Sequence, residues 1–343
     1  MKGAIIGFGV IAEGHLFAYN LIKELNIVAV LDTNAERRYI AQQMIPGVCC
    51  YEDFETLCAN EKLDFIDVCT PPYCRFEYML KSIKKGYHVI GEKPFLLHKE
   101  EYAILFSEAT KNNVLLYPSH NYKYAPVVRL TKNKLSYASF GKVINGHYKT
   151  YRIGHAKGNA EWNPDWRRKP EYSGGGILWD HGPHSIYMSC FFMEQWPVEV
   201  SCITGFCGDE QYTTEDTALL TLHFKGHVKI DILLTWASSV RETYYYIYGE
   251  RESVLIEDNI IRHIDSSGEE QILEIESDFN DPKHKRWFID VLNDFYKSVC
   301  TSELRIDLLK ESFITVAVIE AAYDSSKKGG IKIPLELPQW FSE

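Results

Sequence analysis

Residues 2–12, KGAIIGFGVIA, decide how the first part of the chain is read. A short apolar run enters a glycine turn, Gly7-Phe8-Gly9-Val10-Ile11-Ala12, where a helical pattern begins. The first glycine permits a tight turn, and the second lets backbone approach a pyrophosphate at a helix N-terminus. Ala12 stands at the third glycine's position, which only sets helix–strand packing. Alone, such a turn could be purely structural. Its place on the first strand of an alternating pattern points to a dinucleotide.

Working outward, NIVAVLD (26–32), DFIDVCT (64–70), YHVIGEKP (87–94) and NVLLYP (113–118) read as further strands. Helix-like stretches such as AERRYIAQQM (35–44) and RFEYMLKSIKKG (75–86) lie between them. Strand and helix taken in turn imply βαβ units and a doubly wound, mainly parallel sheet, an α/β Rossmann domain. After about residue 140 the pattern changes. VINGHYKTYRI, ALLTLHF (218–224), VKIDILLTW (228–236), ETYYYIYG (242–249), SVLIED (253–258) and QILEIE (271–276) are strand-like without intervening helices. Lys225-Gly226, Asp258-Asn259 and Ser267-Gly268 supply hairpin turns. A long helical pattern returns at 306–328 and is closed by Gly329-Gly330. The expectation is a Rossmann domain over 1–121 and an α+β domain over 122–343. The second domain has a large open, mostly antiparallel sheet with helices on one face, and its C-terminal helix can pack back on the first.

The 343 residues exceed what one hydrophobic core usually supports, which agrees with two domains. The net charge of −10, with no long basic block, argues against nucleic acid as a partner. No apolar run approaches the roughly 20 residues that cross a bilayer. Glycines, then Glu13 and His15, interrupt the N-terminal apolar stretch, and it lacks a basic leader. The chain is therefore expected to be cytoplasmic, with no membrane partner. Its nine cysteines form no paired CxxC motifs, so reduced thiols are expected and no metal is.

Asp32 ends the second strand. A carboxylate there accepts hydrogen bonds from ribose hydroxyls and repels a 2′-phosphate, which favours NAD over NADP. Asp32 can equally cap the following helix, and Arg37 and Arg38 leave NADP open. Two segments follow strand ends, where open α/β sheets bind ligands: Cys69-Thr70-Pro71-Pro72 and Glu92-Lys93-Pro94. Either could be an ordinary turn. A lysine there can also hold a substrate oxygen near a nicotinamide, and the Lys93–Pro94 peptide is a place to look for a cis bond.

With the glycine turn, Thr-Pro-Pro and Glu-Lys-Pro in this order, the chain resembles the Gfo/Idh/MocA family. These are glucose–fructose oxidoreductases, inositol dehydrogenases and rhizopine-catabolism proteins. The resemblance extends to His120-Asn121-Tyr122-Lys123-Tyr124-Ala125-Pro126, Trp166-Arg167, the stretch 174–184 (GGGILWDHGPH), Glu215-Asp216, the Trp236 strand and the final helix. It implies reversible NAD(P)-dependent oxidation of a carbinol on a sugar, a cyclitol or a nucleotide-linked sugar. It also implies a homodimer or homotetramer formed through the second sheet. By position, Gly7, Phe8, Gly9, Val10, Ile11, Asp32, Thr70, Pro71, Glu92, Lys93 and Asn121 match residues lining the dinucleotide. Lys93, Asp180 and His184 match the catalytic set; with Tyr122, Trp166 and Arg167 they are the expected substrate contacts. Three positions depart from the family pattern: Cys74 for a common histidine, Tyr187 for a common aspartate and Lys123 for the usual arginine.

Oxidising a secondary alcohol sends hydride to C4 of NAD⁺ and the hydroxyl proton to a base, for which a histidine such as His184 suits neutral pH. Asp180 lies four residues earlier, so on a continuous helix the two would share a face. Pro183 makes a helix begin or kink there. Lys93, arriving from the other domain, stabilises negative charge on the oxygen. Asp180, His181 and His184 form an awkward metal set, because adjacent helical residues point about 100° apart. Trp162, Trp166, Tyr172 and Trp179 suit either sugar stacking or core packing. Two other functions share these features: a glycoside-cleaving enzyme with transient oxidation, and a non-catalytic dinucleotide sensor.

Overall fold

In the computed structural model, residues 1–208, 211–279, 281 and 284–341 are described. Ser342 and Glu343, at the end of the expected second domain, lie outside them. The first sheet holds β1 (Lys2–Ile6), β2 (Asn26–Leu31), β3 (Cys49–Tyr51), β4 (Phe65–Val68), β5 (His88–Gly91) and β6 (Leu116–Pro118). Its order is β3-β2-β1-β4-β5-β6, and every pairing is parallel. All four β4 residues are buried, as expected of strands covered on both faces by helices. The strand order reverses between β1 and β4, which opens a crevice at their carboxyl ends. Gly7 leaves β1 into that crevice and Cys69-Thr70 leave β4. The three-residue β3 has no period to betray it in the sequence.

The second sheet contains β7 (Val143–Tyr151), β8 (Glu199–Gly205), β9 (Thr217–His223), β10 (Lys229–Thr235), β11 (Glu242–Gly249), β12 (Ser253–Glu257), β13 (Ile260–Ile264), β14 (Glu270–Glu274) and β15 (Ile333–Pro334). Its order is β14-β13-β12-β11-β7-β10-β9-β8-β15. All pairings are antiparallel except β7 with β10. The exception has a topological cause. After β7 the chain leaves the sheet, passes through the helix Gly182–Met193 and re-enters at β8, and parallel neighbours need such a crossover.

Along β10 and β11 buried residues alternate with partly exposed ones, so one sheet face is covered. Ile230, Ile232 and Leu234 on that face share a core with Ile186 of the helix Gly182–Met193 and Ile314 and Val318 of the helix Ile306–Lys327. Each such fully buried side chain contributes about 1.5–3 kcal/mol. The helix Trp287–Cys300 returns to the first sheet's side. Its Phe288, Val291, Leu292 and Phe295 pack with Ile5, Phe8, Ala12 and Leu16. The final helix Ile306–Lys327 also meets residues of the first part of the chain, through Ser312 with the Tyr102 hydroxyl and Glu311 with His120.

Candidate active site

A cavity of about 570 Å³ opens at the carboxyl ends of β1, β4 and β5. Gly7, Gly9, Val10, Ile11, Asp32, Thr70, Pro71, Glu92 and Lys93 line it from the first sheet's side. Asn121, Tyr122, Trp166, Arg167, Asp180 and His184 line it from the rest of the chain. Of the dinucleotide and substrate contacts that the resemblance implies, only Phe8 lies elsewhere. Its ring is fully buried beneath the Arg37 guanidinium, and only its backbone takes part, the N–H donating to Asp32 Oδ2 at 2.7 Å and the carbonyl accepting Arg37 Nε at 2.6 Å.

The glycine turn fits a dinucleotide. Gly7 has φ +84, and a Cβ there would sit 2.9 Å from the Thr70 backbone, so only glycine suits the turn. At Gly9 a Cβ would meet nothing nearer than Asn159 Nδ2 at 3.7 Å, which leaves open space above the helix start. The helix Val10–Tyr19 has no side-chain cap, so its first amides remain for a pyrophosphate. Asp32 also accepts the Asn34 N–H through Oδ1 at 2.9 Å, and each oxygen keeps a lone pair for a ribose hydroxyl.

Below the turn lies a buried network that the sequence did not reveal. His15 bonds Asp67 Oδ2 through Nδ1 at 2.7 Å and Glu92 Oε1 through Nε2 at 3.0 Å. Burial alone would lower the pKa of His15, but Asp67 and Cys69 outweigh it and hold the ring well above its ordinary value. Glu92 Oε2 accepts the Lys93 N–H at 3.1 Å, so the imidazole steadies the segment carrying the lysine. His15, Asp67 and Cys69 could group around a metal, but their ligating atoms already contact one another.

The Lys93–Pro94 peptide is cis. Lys93 Nζ donates to the Asp180 carbonyl oxygen at 2.7 Å and reaches Oδ1 at 3.4 Å. Arg167 Nε also meets Oδ1 at 3.4 Å, and His181 Nε2 lies 3.6 Å from Oδ2. Burial would raise the Asp180 carboxyl, yet Lys93, His181 and Arg167 hold it well below the usual carboxylate range. Burial lowers Lys93, and the Asp180 and Glu92 carboxylates only partly offset that.

Asp180 and His184 do not share one helix. Asp180 closes a short turn, Ile177–Asp180, and the next helix starts at Gly182 with Pro183 in its first turn. The break arises because proline is tolerated at a helix start and not in its interior. His184 faces the ring of Tyr122 at 4.0 Å, and its Nδ1 lies 2.8 Å from the Tyr187 hydroxyl. That hydroxyl already accepts the Tyr122 N–H at 3.2 Å and has no other polar contact among the described residues. Its own proton therefore goes to Nδ1, and neutral His184 carries its proton on Nε2. Burial, then the charge of Lys93, pushes the His184 pKa well below its ordinary value, so the neutral form prevails.

Of the other departures, Cys74 lines the cavity and Lys123 does not. Cys74 donates to the Pro71 carbonyl at 3.4 Å. Lys123 points away to Glu311, 3.1 Å from both oxygens. Trp162, Trp166 and Trp179 line the cavity, whereas Tyr172 packs beside Trp162 and Tyr73. Arg152, Arg241 and His284 also line it. They stand in no local motif, and only the folded sheet brings them there.

The chain matches the oxidoreductase family with an NAD-binding Rossmann fold over residues 1–120 and the GFO/IDH/MocA C-terminal domain over residues 132–255. Oxidoreductase P35 of Formosa agariphila is 29% identical over 253 residues, covering 73% of this chain and 77% of that protein. Glucose-6-phosphate 3-dehydrogenase of Bacillus subtilis is 27% identical over 245 residues, covering 69% and 68%. Levoglucosan dehydrogenase in complex with NADH has the same fold, with a TM-score of 0.85 at 16% identity, over 98% of this chain and 100% of that one. No helix among the described residues is long and apolar enough to cross a membrane. The chain belongs to the Gfo/Idh/MocA family of NAD-binding oxidoreductases.

Proposed function

We propose that the protein moves a hydride between NAD and a secondary hydroxyl or ketone carbon of a sugar, a cyclitol or a nucleotide-linked sugar. One observation carries this. Lys93, just after β5, and His184, on the helix Gly182–Met193, line the same cavity as the dinucleotide turn. Two relatives named as dehydrogenases of sugar compounds support the substrate class. NAD, when bound, supplies the hydride acceptor in oxidation and the donor in reduction.

The side chains handle the oxygen and its proton. Lys93 Nζ, anchored on the Asp180 carbonyl, keeps a position for the substrate oxygen, and its lowered pKa suits proton exchange. His184 offers Nε2–H to the same oxygen and stabilises charge there. The sequence expectation gives His184 the role of base; the Tyr187 bond favours the donor's role and leaves the proton to Lys93. Asp180 orients the lysine, and Tyr122, Trp166 and Arg167 border the substrate. The inward-facing positions of Thr70, Pro71, Glu92 and Asn121 support the dinucleotide contacts expected of them.

NAD is the preferred cofactor on this account. Arg37 is committed to the Phe8 carbonyl at 2.6 Å and Glu13 at 3.2 Å, and Arg38 to the Asp32 carbonyl at 2.7 Å and Glu52 at 3.2 Å. Both would have to release partners to hold a 2′-phosphate. The same proposal takes 1–121 as the dinucleotide domain and 122–343 as the substrate and assembly domain. The nine free thiols suit a reducing cytoplasm. The test is NADH absorbance with inositols, aldoses, glycosides and nucleotide-sugars, each offered NAD and NADP. Net turnover with NAD favoured is expected. Tight NAD binding without turnover of any class would instead indicate a sensor, and bond cleavage without net NADH a glycoside-cleaving enzyme.

A further inference from the structure

One end of the cavity carries more positive charge than the chemistry above uses. The β7–β11 register pairs Tyr151 with Glu242, so Arg152 and Arg241, one residue beyond each, sit side by side at the same sheet edge. Both line the cavity with His181, His184 and His284. Arg152 is 4% exposed, yet all its acceptors are neutral. Nη1 donates to the carbonyls of Tyr151 at 2.7 Å and Glu242 at 2.9 Å, and Nη2 to Thr243 Oγ1 at 3.1 Å. Arg241, more open, has no hydrogen bond or ion pair among the described residues. Asp258 acts on both, and Asp281 on Arg241, from beyond ion-pair distance, and Asp258 spends Oδ1 on the Thr243 N–H at 3.0 Å.

The local charges do not cancel. Lys93, Arg152, Arg167 and Arg241 border this end against two carboxylates, Asp180, which Lys93 and Arg167 already hold, and Glu92, which His15 and the Lys93 N–H hold. Lys157 is spent on Asp165. The histidines add donors and acceptors rather than charge, since burial lowers all three and brings His284 to about 3. Burial and then the neighbouring Arg152 lower Arg241 as well, so the two guanidiniums oppose each other at the sheet edge. A buried guanidinium without a carboxylate is costly, and its planar fork suits carboxylate and phosphate oxygens.

We infer that the substrate carries an anionic group, a carboxylate or a phosphate on the sugar, seated against Arg152 and Arg241. This rests on the dehydrogenase function proposed above. It places the anion at the sheet edge and the reacting carbinol by Lys93 and His184. The pyrophosphate of the dinucleotide has its own seat at the glycine turn, so it does not account for this charge.

Calorimetric titration of the NAD-loaded protein with a neutral aldose, its phosphate monoester and its uronic acid tests the inference, with turnover followed in parallel. At least one anion should bind about 10–100-fold more tightly than the neutral parent, the range of one charge-assisted hydrogen-bonded pair. Arg241→Gln should abolish most of that gain and Arg241→Lys should keep part of it. A gain confined to the monoester assigns a phosphate, and one confined to the uronic acid assigns a carboxylate. No gain for either anion, or a gain that survives Arg241→Gln, overturns the inference. The two proposals fail separately. Arg241-dependent anion binding without turnover would remove the dehydrogenase and leave the site. Turnover indifferent to substrate charge would do the reverse.

Discussion

In the proposed chemistry the role of His184 depends on one hydroxyl, because Tyr187 accepts the Tyr122 N–H at 3.2 Å and faces Nδ1 at 2.8 Å. A carboxylate at position 187 could only accept, and would place the imidazole proton on Nδ1 instead. Tyr187→Asp is therefore expected to turn Nε2 into a proton acceptor, visible as a changed His184 ¹⁵N pattern and a new ionisation in the pH–rate profile. Tyr187→Phe strands Nδ1 and should cost about 1–3 kcal/mol of stability in denaturant titration. An unchanged ¹⁵N pattern in both variants would remove Tyr187 from the mechanism. Asp180 acts on Lys93 in the same way. Burial lowers the lysine and the carboxylate raises it, so Asp180→Asn should lower it further. If Lys93 takes the proton as proposed, oxidation needs its neutral amine and the rate should rise with pH, and in Asp180→Asn that rise should move to lower pH. A rise that stays in place would separate the proton from Lys93. That Lys93, Asp180 and His184 would meet in one cavity was legible because each lies in a short motif. Tyr187 was visible only as an unusual residue, since its effect depends on the Tyr122 amide that folding brings to it.

Among the elements, the helix Trp287–Cys300 is one that ties the later part of the chain to the nucleotide fold. Phe288 is fully buried, and its ring lies 4.1 Å from that of His15, beneath the glycine turn. Phe288→Ala is expected to cost about 3–5 kcal/mol, the usual loss for a large core aromatic. It should also weaken NAD binding, because His15 steadies Glu92 and the lysine beside it. A stable variant with normal NAD affinity would show that this helix is dispensable to the site. Local periodicity was enough to find the other strands of the first sheet and the helix Ile306–Lys327, but not β3, where three residues pair at an edge. It also missed the parallel β7–β10 pair, since direction there is set by the excursion between the strands. The edge that aligns Arg152 with Arg241 was hidden for the same reason.

For the whole molecule, assembly through the second sheet is an expectation that its exposed apolar side chains allow to be tested. Ile203, Leu219 and Leu233 lie side by side across β8, β9 and β10, with Ile203 60% and Leu219 51% exposed. If copies of the chain pair through this face, Leu219→Glu should yield a smaller species by light scattering while the fold persists. An unchanged mass would place any interface elsewhere. The central claim, however, is that two parts of the chain bring a lysine and an imidazole to one substrate oxygen. Measuring kcat and NAD affinity for Lys93→Ala and His184→Ala tests it most directly. The expected result is a loss of about 10²–10⁴-fold in kcat for each with NAD affinity retained. Near-normal turnover in both variants would contradict it.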